Sequence, residues 1–349
     1  MEKYGQYRDK GSGIAPFFPI SAQASGVYLP FHIFLFVCRV PLLIAVSVTY
    51  FLLFSWLAVG SLIKKAALWC LLGIPGVWWV DIQIDGVKRG SLAKHQNRLP
   101  QPGTLIASSF TSPIDCLYLA AIFDPIFTSS YPNNRLVERI SLYTAILRAL
   151  SPPKLTPSPT ARLLPLHQLL SENPDSAIVV LPECTATNGR GILPFSPSLL
   201  TAPAKTKIFP VSLRYTPADI TTPIPGAYIS FLWNLCSRPT HCIRVRIADA
   251  VYNTAASSSR PNGTKSPLSK KPNSYETNFF DGMNIGDSLS DADTLVDNID
   301  GDNLTQEEMK VLDRIADDLA RLGRVKRVGL GVKEKDDFLK AWKKTRKVI

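Results

Sequence analysis

Gly103–Leu119 reads GTLIASSFTSPIDCLYL, and the way this stretch divides decides the fold. Gly103–Ser108 is a β-type run, a polar turn follows, and Pro113 opens an apolar helix with Asp115 in its first turn. A loop that leaves a strand and enters a helix is where α/β folds place their chemistry. Asp115 has the position of a carboxylate that orients a general base. The residue five places before it, however, is Phe110, which accepts no proton.

Working outward, the same alternation recurs. VDIQIDGV (Val80–Val87) has strand periodicity, and Leu136–Leu150 has apolar residues at helical spacing and stops at the adjacent prolines of SPPKLTPSP. Leu163–Ser171 reads as a short helix. SAIVVLP (Ser176–Pro182) is a continuous β-branched run of the kind buried on both sheet faces. KIFPVSLRY (Lys207–Tyr215) and HCIRVRIAD (His241–Asp249) are two more strands, with a helix, YISFLWNLC, between them. The expected fold is therefore α/β, a sheet flanked by helices.

Upstream, VPLLIAVSVTYFLLFSWLAV (Val40–Val59) is an uncharged run of about 20 residues, enough to cross a hydrocarbon core. Arg39 stands at one end, and Lys64 and Lys65 at the other. A shorter run, Ala66–Val80, contains Pro75 and Gly76 and carries Trp69, Trp78 and Trp79, which suit the headgroup level. Basic residues on both sides favour a hairpin or re-entrant pair with both ends cytosolic over a single crossing. The amino-terminal stretch has no pattern of a removable signal peptide.

Downstream, residues 252–303 hold few large apolar side chains and read as a disordered linker. An EF-hand reading of its acidic end fails at the first loop position, Val296, which has no side-chain oxygen. Thr305 and Glu308 form a capping box for a helix with an apolar face of Met309, Leu312, Ile315, Leu319 and Leu322, followed by a basic tail. The expected organisation is an amino-terminal segment (1–28), a membrane anchor region (29–80), an α/β domain (81–251), the linker (252–303) and a basic helical tail (304–349). Six cysteines show no metal-ligand spacing and read as buried thiols of a reducing compartment, with no metal expected. The net charge of +11 calls for an acidic partner; with a membrane-length run and no nucleic-acid module, that is anionic lipid rather than nucleic acid.

Three blocks at strand-to-loop junctions carry a resemblance: SFTSPID (Ser109–Asp115), LPECTATNGRGILPF (Leu181–Phe195) and IFPVSLRY (Ile208–Tyr215). Their order and spacing resemble the glycerophospholipid acyltransferase family, the lysophosphatidic acid acyltransferases and their relatives. That family carries Asn-His-x-x-x-x-Asp, Phe-Pro-Glu-Gly-Thr and an apolar strand with a Pro. MEKYGQYRDKGSGIAPFFP at the amino end is similar to the start of the fungal lysophosphatidic acid:oleoyl-CoA acyltransferase group, also described as a vacuolar protein sorting protein. The resemblance implies an acyl-CoA-dependent transfer to lysophosphatidic acid or another lysophospholipid, with acyl-CoA as co-substrate and no cofactor. It also implies a place on the endoplasmic reticulum membrane or a lipid droplet, the catalytic domain facing the cytosol.

By this resemblance Asp115 and Ser112 are the catalytic candidates. Glu183, Thr185, Asn188, Gly189 and Pro210 match substrate-binding positions, and Arg190, Arg214 and Arg148 are candidates for the substrate phosphate. In the family a His takes the proton of the glycerol hydroxyl and the Asp holds its tautomer. Here Ser109 and Phe110 replace Asn-His, Cys184 replaces the Gly and Ala186 stands where many members have Arg. His32 is next to the membrane run, His95 is in a loop and His241 starts a strand, and His167 reads as a packed or surface residue rather than a rescuing base. Two readings follow: an acyltransferase in which Asp115 accepts the proton directly or through water, and a non-catalytic relative that binds lipid or acyl-CoA in droplet metabolism or trafficking.

Overall fold

The computed structural model describes residues 2–21, 26–54, 61–88, 91, 96–255 and 304–346. Helix α1 (Leu29–Val48) runs on through a wider turn to Phe54, and α2 (Ser61–Gly73) follows. The α/β unit comprises β1 (Val77–Ile84), β2 (Leu105–Ser108), α3 (Pro113–Phe123), β3 (Ile126–Ser129), β4 (Val137–Ile140), α4 (Leu142–Leu150), β5 (Leu163–Leu164) and α5 (Leu166–Glu172). It continues with β6 (Ile178–Val180), β7 (Gly191–Ile192), β8 (Lys207–Thr216), α6 (Tyr228–Ser237), β9 (His241–Ile247) and β10 (Val251–Tyr252). Then come α7 (Gln306–Gly323), β11 (Lys326–Arg327) and α8 (Val332–Arg346).

The main sheet has the order β1-β9-β8-β2-β6-β3-β4-β5, with β10 paired to the start of β8. Strands β8, β2, β6 and β3 at its centre are mutually parallel. Their residues Leu105–Ala107, Ile178–Val180 and Ile208–Phe209 are buried throughout, as expected for strands covered on both faces. α3 and α4 cover one face and α7 the other. On α7, Leu312, Ile315, Leu319 and Leu322 are buried, and each fully buried aliphatic side chain contributes about 1.5–3 kcal/mol. Met309, expected on this apolar face, is exposed. The capping box forms: Thr305 N donates to Glu308 Oε2 at 3.0 Å and Glu308 N to Thr305 Oγ1 at 3.3 Å.

Several sequence expectations are revised. Leu136–Leu150, expected as helical, opens with β4 (Val137–Ile140) before α4, and Leu163–Ser171 opens with β5 (Leu163–Leu164) before α5, because both segments pair at the sheet edge. The membrane-length helix begins earlier than Val40: the apolar span is Gly26–Leu52, and Arg39 and Pro41 lie inside it rather than at its edge. The Arg39 guanidinium is hydrogen-bonded by carbonyls, donating to Pro75 O, Cys236 O, Arg238 O and Pro239 O, so α1 is tied to the α2–β1 turn and to the end of α6. The second apolar run is not one helix: Pro75 and Gly76 end α2, and Trp78 and Trp79 belong to the start of β1, three residues ahead of the expected strand. α1 is long and apolar enough to cross a membrane by length and composition, with Phe34, Val37 and Leu42 exposed. The expected linker lies outside the described residues from 256 to 303, as does His95; residues 251–252 form β10.

The chain at both ends of the described sequence folds over the carboxyl ends of the central strands. Tyr4, Phe17 and Phe18 of the amino-terminal segment stack with Phe338 and Trp342 of α8, ring centroids 5.1–6.5 Å apart. Such aromatic pairs add about 0.5–1.5 kcal/mol each beyond their burial.

Candidate active site

The Asp115 turn is built by local chemistry. Ser112 is the N-cap of α3, Pro113 occupies its first turn, and Asp115 at the third helical position reaches back to the turn. Asp115 Oδ2 accepts from Thr111 N at 2.7 Å, Ser112 N at 2.9 Å and Thr111 Oγ1 at 3.1 Å, and Oδ1 accepts from the Tyr215 hydroxyl. The carboxyl is fully buried, which pushes its pKa up to about 6 against the downward pull of these four donors. Ser112 Oγ donates to Ile220 O at 2.9 Å, and Thr222 N donates to Thr111 O at 2.9 Å, so the 219–224 loop is sewn to the turn.

Phe110, at the position of the family's base, is buried in the main core beside this turn. Its backbone makes the junction to the second block: Phe110 N donates to Glu183 Oε1 at 3.4 Å, and Thr187 N donates to Phe110 O at 2.9 Å. Gly189, at φ +70°, sits so close that an added Cβ would lie 3.3 Å from Thr111 Cγ2. Thus the loops after β2 and β6 converge at one end of the sheet, on the same side.

Glu183 is fully buried, with Leu193 N donating to its second oxygen at 3.2 Å, and burial pushes its carboxyl up to about 8. The basic group nearest to it in electrostatic effect is one that no sequence motif marks. Lys335 of α8 is fully buried, donates to Thr185 Oγ1 at 2.8 Å and to Ala186 O at 2.5 Å, and is pushed down to about 7 by burial while Glu183 pulls it up. The tail helix thus supplies the donor that the Thr185–Ala186 turn receives. The apolar spacing of Phe338, Leu339 and Trp342 was the available signal that α8 packs; nothing in the sequence marked Lys335 as its buried member.

The other candidates divide. Asn188 is buried and holds the amino-terminal segment, donating through Nδ2 to Ala15 O at 2.8 Å and Phe18 O at 2.9 Å. Arg190 is exposed and lines a cavity of about 490 Å³ with Arg8, Gly13 and Phe18. Pro210 is buried within β8, paired with Ala107; its carbonyl accepts from Ala248 N at 3.0 Å where β9 gives way to β10, so its missing N–H falls at a break in the ladder. Arg214 alternates with Tyr215 and so projects from the opposite face, where it donates to Gly323 O; it does not join Asp115. Arg148 is held by Tyr131 and Glu138, at 2.7 and 3.3 Å. Among the histidines, His167 is exposed and His241 is buried against Leu235 O at 2.9 Å.

Cys184 stands where the family has Gly and adopts φ +58°, a left-handed conformation that disfavours any residue with a Cβ. Cys184→Gly is expected to raise stability by about 1 kcal/mol. Cys184→Ala, which keeps the Cβ, should show no such gain; thermal unfolding of the three proteins checks this.

A largely apolar cleft of about 530 Å³ is lined by Phe36 of α1, Ile20, Thr222, Phe231, Trp233 and Trp342. No residue of the turn itself lines it; the 219–224 loop separates the two, with Thr222 in the cleft wall and its N–H on Thr111 O. Among the described residues no histidine bonds the carboxylate, and Asp115 accepts four hydrogen bonds, three from its own turn and one from Tyr215. The arrangement can hold an apolar chain near a buried carboxylate.

No protein-family model matches this chain. Two curated fungal relatives do. One, from Schizosaccharomyces pombe, carries the provisional name lysophosphatidic acid:oleoyl-CoA acyltransferase; it is 26% identical over 264 residues, covering 71% of this chain and 84% of its own length. The other, lysophosphatidic acid:oleoyl-CoA acyltransferase 1 of Saccharomyces cerevisiae, is 27% identical over 253 residues, covering 66% of this chain and 78% of its own. Both matches support the acyltransferase family read from the three blocks.

Proposed function

We propose that this chain transfers an acyl group from acyl-CoA to lysophosphatidic acid or a related lysophospholipid at a membrane surface. The observation that carries this reading is the junction of the Asp115 turn with the Glu183–Thr185 loop through the Phe110 backbone, with a largely apolar cleft across the 219–224 loop that includes Phe36 of α1 in its wall. The names of the two relatives support the same substrate class.

In this reading the acyl chain enters from the flank of α1, and the 219–224 loop bonded to Thr111 and Ser112 moves aside so that the lysolipid hydroxyl reaches the buried Asp115. The hydroxyl oxygen attacks the thioester carbon, the C–O bond forms as the C–S bond breaks, and the hydroxyl proton passes to Asp115 and then to the departing thiolate. Asp115, with its pKa near 6, is mostly ionised at neutral pH and is still a stronger base than an ordinary carboxylate. Holding both substrates in line contributes several kcal/mol more to lowering the barrier.

The test is acyl incorporation from labelled acyl-CoA into lysophosphatidic acid by the full chain in detergent. The rate is expected to rise with pH through an inflexion near 6. Tyr215→Phe removes a donor that favours the carboxylate, so the inflexion moves upward. A rate independent of pH across that range would defeat Asp115 as proton acceptor.

A second reading, a lipid-binding relative without catalysis, is favoured by one observation: every donor around Asp115 is already engaged and Phe110 offers no base. It predicts that the native chain incorporates nothing while still retaining lysolipid, and that Phe110→His alone gains turnover.

A further inference from the structure

Four arginines share one concavity on the sheet face away from Asp115. Arg214 of β8 and Arg244 of β9 are directly opposite in the antiparallel ladder, and Arg246 follows two residues along the same face. Arg324, just past the end of α7, closes the group; with Ser212 and Thr216 they line a cavity of about 130 Å³. Like charges opposite each other across strands destabilise a sheet. After burial, the other three guanidinium groups push Arg214 below its ordinary value.

Part of this cluster serves the fold. Arg214 donates to Gly323 O and Arg246 to Leu322 O, the last carbonyls of α7, where positive charge complements the helix dipole. Arg244 and Arg324 are not used in this way: among the described residues their guanidinium groups have no hydrogen-bond or ion-pair partner. Asp81 lies in register with Arg244 on β1 and shares its face, and Asp85 is taken up by Arg321 at 2.6 Å. One neighbouring carboxylate does not balance four cations.

We propose that this concavity is a phosphate-binding site, distinct from the Asp115 cleft, that takes the phosphate of a phosphomonoester. Its volume equals about four waters at roughly 30 Å³ each, room for a phosphate but not for an acyl chain or a nucleotide. Guanidinium forks match phosphate oxygens in pairs, and a dianion relieves the repulsion that the empty cluster carries. The phosphate has two sources, a lipid headgroup or a soluble phosphate. Trp79, 68% exposed, lies two residues before Asp81 on the edge strand and on the same face, at a place suited to a membrane headgroup region. The site does not rest on the acyl-transfer reading, because its test measures binding alone.

The test is thermal unfolding of the full chain in nonionic detergent micelles, with inorganic phosphate against chloride at matched ionic strength, and with micelles doped with phosphatidic acid against phosphatidylcholine. A rise in Tm of about 3 °C or more is expected at phosphate tenfold above its Kd. In Arg244→Gln/Arg324→Gln the rise disappears, and without phosphate the variant is at least as stable as the native chain, since two of four mutually repelling charges are gone and their side chains bond nothing in the fold. A larger rise with phosphatidic acid than with inorganic phosphate assigns the site to a headgroup; an equal rise assigns it to soluble phosphate. No rise with either probe, or the same rise in the double variant, overturns the proposal.

Discussion

Asp115→Asn is expected to lower the rate of acyl transfer by about 10²–10⁴-fold, the usual range for removing a group that moves a proton in the transition state. The substitution is chosen because it keeps the turn. The amide oxygen still accepts from Thr111 N and Ser112 N, and the Tyr215 hydroxyl can rotate to accept from the new NH₂. Loss of activity with unchanged folding therefore reports chemistry rather than a broken α3 N-terminus. A stability profile supplies an independent check. The folded chain holds the Asp115 proton more tightly than the unfolded chain does, since burial raises its pKa from 3.8 to about 6. Between those values the folded state binds more protons, so stability falls as pH rises through that window and is level above it. Asp115→Asn removes this part of the slope. If the variant turns over at the native rate, proton acceptance lies elsewhere and the acyltransferase reading loses its named base.

Lys335→Met is expected to cost about 1–3 kcal/mol, the range for leaving buried acceptors without their donor. Methionine fills about the same volume, so the loss is that of hydrogen bonds: Thr185 Oγ1 and Ala186 O lose the Lys335 ammonium. Glu183, pushed up to about 8 by burial, is mostly protonated at neutral pH, so Glu183→Gln added to Lys335→Met recovers little at pH 7 and more above pH 8, where the carboxylate of the single variant would ionise without a cation. Thermal unfolding of the two single variants and the double variant at both pH values gives the coupling directly. Additive losses at both would show that Lys335 does not couple to Glu183. Because α8 also carries Phe338 and Trp342 onto the amino-terminal segment, the same experiment reports whether the tail helix is an integral part of the site.

Much of the fold was legible because it is written locally. The β-branched run at Ser176–Pro182, the alternation at His241–Asp249 and the Ser112-Pro113-x-Asp115 turn each specify their own backbone through side-chain sterics and short hydrogen bonds. The membrane-length helix is legible but its start is not: apolarity shows that a helix forms, while Arg39 looks like a boundary in sequence because its four carbonyl partners lie 36 to 200 residues away. Trp78 and Trp79 look like part of an apolar run for the same kind of reason, since β9, the strand that pairs with β1, begins at His241.

The site shows the same division more sharply. Residue types and spacing along the chain were enough to bring Asp115 and Glu183 to adjacent strand ends, because parallel neighbours in an α/β sheet put their following loops on one edge. They were not enough to say that Arg214 faces away, which depends on strand phase against Tyr215, or that Lys335 enters from a helix about 150 residues downstream. Local sequence dictates which backbone each segment adopts. The partner of a buried charge is settled only when distant elements pack, because a charge is tolerated inside a protein wherever another segment brings the counter-charge and the hydrogen bonds to it.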